Sequence, residues 1–90
     1  MTELDELEFD ILDAIYFVES FEHIVEECRE KNKNVIADAL KQMIHKKWVV
    51  AMQFDEEKND YVRSFIYDSD DMNAYHYLAT KEGLLVHNGK

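Results

Sequence analysis

The chain has 90 residues, 47% of them hydrophobic and eleven of them aromatic, enough for one compact domain and too few for two. One cysteine, Cys28, excludes an internal disulfide and suits a reducing, cytoplasmic setting. The acidic start Met1–Glu6 is unlike a signal peptide, and no apolar run approaches the roughly 20 residues of a membrane span.

Residues 3–18 carry apolar side chains at Leu4, Leu7, Ile11, Ala14 and Val18, with Leu12 and Ile15 widening the stripe, and this spacing predicts a first helix. Glu3, Asp5, Glu6, Glu8, Asp10 and Asp13 are expected on its outer side. Ser20 is the expected N-cap of a short second helix over 21–29, whose apolar positions are Phe21, Ile24, Val25 and Cys28. The polar run Arg29–Lys33 interrupts the pattern, and Asn32 or Asn34 is expected to cap a third helix over 34–46. Its pairs Val35/Ile36, Ala39/Leu40 and Met43/Ile44 bury one face, leaving Asp38, Lys41, Gln42 and His45 on the other.

After the third helix the period falls to two. Trp48–Phe54 alternates as a strand, Asp55–Asp60 is a polar turn, and Tyr61–Tyr67 is a returning strand with Tyr61, Phe65 and Tyr67 on one face. Asp68–Asp71 is an acidic loop, Tyr75–Leu78 a short third strand, and Thr80 the cap of a last helical turn containing Leu84 and Leu85. With no proline, two glycines and no linker or repeat, residues 1–90 are expected to form a single α+β domain. Its expected architecture is a winged helix: a three-helix bundle followed by a two- or three-stranded antiparallel β-wing.

Three segments carry a resemblance. Ser20–Glu26 resembles the Ser/Thr-x-x-x-Leu-Ala-Glu opening of the second helix in MarR- and PadR-like transcription regulators. Leu40–Val49 is similar to the end of their recognition helix, Leu-x-x-Leu-x-x-Lys-Gly-Leu-Val, and Tyr77–Gly83 to their Tyr-x-Leu-Thr-x-x-Gly close. Lys47 stands where the family usually has glycine, so a lysine is expected in a left-handed, helix-ending conformation at a steric cost. The resemblance implies a dimeric regulator that reads double-stranded DNA with its third helix.

Charge is distributed in keeping with that implication. The net charge is −10, yet residues 1–28 hold ten acids and no Lys or Arg, while residues 29–47 hold six basic side chains against two acids. In a helix-turn-helix, Lys31 and Lys33 would touch phosphate, and Asn34, Asp38, Lys41 and Gln42, with His45 on the same face, would reach base edges. The alternative is an acidic winged-helix interaction module, in which a solvated third helix binds no DNA and the acidic helices face a basic protein. The seven-residue rhythm of the first helix, Trp48, and the tyrosine-rich strands Tyr61/Phe65/Tyr67 and Tyr75/Tyr77 allow a homodimer contact.

Nothing points to an enzyme, a cofactor or a metal. His23, His45, His76 and His87 lack metal-ligand spacing, and Cys28 is expected to be a buried filler. A calcium loop starting at Asp68 lacks glycine at its sixth place and ends on Ala79, where glutamate is required, and one starting at Asp55 would end on Ile66.

Overall fold

The computed structural model describes residues 4–64, 68 and 70–89. In chain order they form α1 (Glu6–Ala14), β1 (Glu19–Ser20), α2 (Phe21–Glu27), α3 (Lys33–His45), β2 (Val49–Asp55) and β3 (Asp60–Arg63). A 3-10 turn (Met72–Ala74), β4 (His76–Ala79) and α4 (Lys81–Asn88) complete the chain. The result is a small α+β domain with four α-helices and a four-stranded antiparallel sheet of order β1-β4-β2-β3. No helix among the described residues is long and apolar enough to cross a membrane.

Helix α1 begins where a capping box holds it. The Asp5 carboxylate accepts from the Glu8 backbone N–H at 2.8 Å, and the Glu8 carboxylate accepts from the Asp5 N–H at 3.2 Å. The helix ends at Ala14, four residues before the expected end at Val18. The reason is tertiary: the Ile15 carbonyl accepts from Ala79 N–H at 3.0 Å, so the chain turns there to run beside β4. Further along, Glu19 and Ser20 pair with Tyr77 and His76 as a strand that the apolar periodicity does not predict.

Ser20 caps α2 as expected, its hydroxyl accepting from His23 N–H at 3.1 Å. For α3 the cap is Asn32, whose side chain accepts from Asn34 N–H at 2.9 Å. Ile36, Leu40 and Met43 of α3 meet Ile11, Leu12 and Ile15 of the first helical segment, Ile24 and Cys28 in the core. Burial pushes the Cys28 thiol up to about 11, so it is held as an unreactive thiol.

The end of α3 is a Schellman motif: Trp48 N–H donates to Met43 O at 2.9 Å and Lys47 N–H to Ile44 O at 3.0 Å. Lys47 takes the left-handed position, with φ of 69°. A Cβ in that conformation is sterically disfavoured, so Lys47→Gly is expected to stabilise the fold by about 0.5–1 kcal/mol despite the looser unfolded chain. A thermal melt should show a rise of about 2–6 °C.

Register decides which residues face the helices. Val49 pairs with Ala79 and Ala51 with Tyr77, and all four side chains are buried against the helical layer. The described part of the connection from β3 to β4 returns on that same side, because Met72 is buried and its carbonyl accepts from the buried Tyr77 hydroxyl at 2.7 Å. The expected strand Tyr61–Tyr67 is described only as Asp60–Arg63, and the predicted placement of Phe65 and Tyr67 lies outside the described residues. The last helical segment is longer than one turn. Thr80 caps it by accepting from Gly83 N–H at 3.0 Å while donating to Lys47 O at 2.7 Å.

Candidate partner interface around the third helix

The six basic residues of the 29–47 stretch do not converge. Arg29 turns back to α1, its Nε and Nη2 donating to the two oxygens of Asp10 at 3.0 and 3.1 Å, with Glu6 3.7 Å from Nη1. That fork holds the Asp10 carboxyl below its ordinary value of 3.8. Lys31 Nζ donates to the carbonyls of Val25 and Glu26 at 3.1 and 2.9 Å, where α2 ends and its orphan carbonyls need a donor.

Lys46 lies across the buried Glu8 carboxylate at 3.0 Å and over the Trp48 ring at 4.6 Å. This corrects the expected outer position of Glu8: one of its oxygens completes the α1 capping box, the other holds Lys46, and the side chain is buried. Four of the six basic side chains thus have intramolecular partners once the weaker Lys41–Asp38 pair, 3.7 Å apart, is included. Lys33 and Lys47 are exposed.

Helix α3 does present the side chains expected of it. Lys33, Asn34, Asp38, Gln42 and His45 are exposed and Lys41 is half-buried; all but Lys33, which sits at the helix start beside the Ile36–Leu40 stripe, lie on the side away from Ile36, Leu40 and Met43. Lys33, Asn34, Asp38 and Lys41 line one wall of an open groove of about 540 Å³. Gln42 and His45 lie further along the helix and do not line it, and Lys31 is outside it as well.

The opposite wall of the groove is acidic. Asp70, Asp71, Met72 and Asn73 form it, with Phe21 and Ala37 below. This wall is fixed by hydrogen bonds. The Asp68 carboxylate accepts from Asp70 N–H at 2.9 Å, Asp68 N–H donates to the Tyr75 hydroxyl at 2.8 Å, and Asp71 N–H donates to Asp68 O at 3.0 Å. Helix α2, which precedes α3 as the first helix of the pair, exposes Glu22, Glu26 and Glu27. The local sequence predicts a solvated acidic loop over Asp68–Asp71. That these carboxylates stand across from α3 follows from the long-range pairing of β4 with β1 and β2, which brings residues 70–73 to the groove and for which the local sequence has no sign.

Among the described residues no group of three or more His, Cys, Asp or Glu side chains is arranged to hold a metal ion. His87 belongs instead to a packed cluster on the α1–α4 contact. Its ring stacks on Phe9 at 4.2 Å, its Nδ1 lies 2.9 Å from the Tyr16 hydroxyl, and its Nε2 faces Asp13 at 3.5 Å.

By architecture the chain is a small α+β domain of four α-helices and a four-stranded antiparallel sheet. Comparison with protein-family models, curated proteins and solved structures finds no match to it.

Proposed function

We propose that this chain is a winged-helix domain that serves as a protein-interaction module for a basic partner, with α2, α3 and the Asp70–Asp71 segment as the contact surface. The winged-helix reading is supported by the β1 strand between the first two helices, the α2–α3 pair, and β4 lying between β1 and β2. The resemblance to MarR- and PadR-like regulators is retained here at the level of domain shape. The module binds; it carries out no chemistry of its own.

One observation carries the choice of partner: Asp70 and Asp71 stand across the groove from α3 and the preceding helix α2 exposes three glutamates, while most of the nearby cations are engaged within the molecule. In a helix-turn-helix on DNA, the first helix of the pair crosses the phosphate backbone. Here that helix exposes Glu22, Glu26 and Glu27, which repel phosphate and attract Lys or Arg side chains. A chain of net charge −10 adds long-range repulsion from a polyanion.

A second reading, DNA recognition by α3, is favoured by the solvent-facing set Lys33, Asn34, Lys41 and Gln42. One titration separates the two. Isotope-labelled protein is mixed with a mixed-sequence 20-base-pair duplex, and separately with an eight-residue Lys/Arg-rich peptide, at about 50 mM salt, where phosphate contacts are strongest. The expected result is no shift with the duplex and peptide-induced shifts of the amides of α2, the start of α3 and residues 70–73. Duplex-induced shifts along α3, or a peptide that leaves those amides unmoved, would overturn the module reading.

A further inference from the structure

The sheet has a second face, opposite the helices. Strand parity and pairing put Val50, Met52 and Phe54 of β2 on it, with Leu78 and His76 of β4 and Tyr61 of β3 as their cross-strand neighbours. These side chains are half-buried or exposed, whereas Val49, Ala51, Tyr77 and Ala79 of the other parity are buried. The described part of the β3–β4 connection runs on the helix side, through Met72.

The charge pattern here is unlike the rest of the molecule. The chain has 20 acidic residues, yet among the described residues none lies on this face of the strands. The strand carboxylates fall on the opposite parity: Asp55 pairs with Asp60 in step with Gln53, and Glu19 pairs with Tyr77. Among the described residues Arg63, paired with Met52, is the one fully charged side chain on the strands of this face, and His76 sits nearby. The aromatic part is pre-arranged. Phe54 and Tyr61 meet edge to face at 5.2 Å, and Tyr61 contacts the His76 ring at 4.8 Å.

We propose that this sheet face is a self-association surface whose occupant is a second copy of the chain, packed face to face about a two-fold axis. A basic partner has no reason to choose it, since among the described residues its strands offer no carboxylate to pair with. Two copies of a −10 molecule repel one another wherever their acidic surfaces meet, and this face lets them approach without opposing strand carboxylates. A two-fold axis across β2 lays the aromatic Phe54–Tyr61 end of one copy over the aliphatic Val50–Leu78 end of the other. Three strands spaced about 4.8 Å apart over some six residues give about 300 Å² of sheet plane, well below the roughly 800 Å² per partner of a stable complex. The dimer is therefore weak.

Sedimentation velocity from about 10 µM to about 1 mM tests this. Wild-type protein should shift from monomer to dimer, and more readily at about 500 mM salt than at 50 mM, because salt screens the repulsion between copies. Phe54→Glu places a carboxylate over the aliphatic Val50–Leu78 end of the other copy, in each half of the contact, and should stay monomeric throughout. Phe17→Glu, at an exposed apolar position in the turn after α1, should dimerise like wild type. Independently of any variant, amide shifts that change with wild-type concentration should fall on residues 50–54, 61–63 and 76–78. A wild type that stays monomeric at 1 mM, a folded Phe54→Glu that dimerises at wild-type strength, or concentration-dependent shifts centred on α1 and α4 would overturn the proposal. The basic-peptide titration reads a different surface, so each proposal can fail without the other.

Discussion

Gly83→Ala is expected to lower the melting temperature by about 10–20 °C, although alanine is the better helix former. Gly83 lies in α4 with an ordinary helical backbone, so a gain of about 0.5–1 kcal/mol is the naive expectation. The surroundings reverse the sign. A Cβ at this position would run into the carbonyl oxygen of Trp48 and come within 3.1 Å of Leu12 Cδ2. The carbonyl cannot step aside cheaply, because it accepts from Thr80 N–H at 2.9 Å, and Thr80 also caps α4 and holds Lys47 O. The methyl group must therefore push α4 off the end of α3, costing about 2–4 kcal/mol, which for a domain this size is a drop of that order. Gly89→Ala is the control: its Cβ would meet only Leu85 O at 3.1 Å and Val86 O at 3.7 Å at an exposed helix end, so a change within about 0.5 kcal/mol is expected. Circular dichroism melts of the two variants beside wild type check both. Equal, small effects would mean that α4 is not seated as closely as its contacts imply.

The same residues show how far the sequence can be read. Ser20, Asn32 and Thr80 are legible as caps because capping is local, a side chain answering an N–H two or three residues on. The α3 stripe and the change of period at β2 are equally local. Glu8 was misread, yet the signal was present: Asp5-x-x-Glu8 has the spacing of a capping box, and a glutamate bent back to the helix start is drawn toward the body of the protein. The end of α1 had no local signal at all. Ile15 and Val18 continue the apolar rhythm, and the chain leaves the helix only because Ile15 O is used by Ala79, 64 residues later. The same holds for β1, whose two residues become a strand through partners far along the chain. The candidate interface divides along this line. Which residues α3 exposes follows from periodicity. What those residues face depends on long-range pairs, Arg29 with Asp10 and Lys46 with Glu8, and on the pairing of β4 with β1 and β2. Composition recorded a basic stretch, and only the fold decided that most of it is already engaged.

The functional reading makes a sharp demand on where charge matters. If α2 and the 70–71 segment receive a basic partner, then Glu22→Gln, Glu26→Gln, Asp70→Asn and Asp71→Asn together should weaken Lys/Arg-peptide binding by about 10- to 100-fold. Each exposed pair is worth roughly 0.3–0.5 kcal/mol, up to about 1 with good geometry, and four of them sum to about 1–3 kcal/mol. All four side chains are exposed, and none is placed in the core, so the fold should be unaffected. A change of four charges also alters the long-range field, and a control must carry the same change elsewhere. Glu56→Gln, Glu57→Gln, Asp60→Asn and Glu82→Gln do so, at the tip of the β2–β3 hairpin and on α4, and are expected to alter peptide affinity by no more than about twofold at 150 mM salt, where the Debye length is about 8 Å. Isothermal titration of both quadruple variants decides the matter. Equal losses would mean that the peptide responds to net charge alone and that α2 and Asp70–Asp71 form no particular surface. A loss confined to the first set ties recognition to the carboxylates of α2 and Asp70–Asp71, which is the arrangement that also keeps phosphate away from α3.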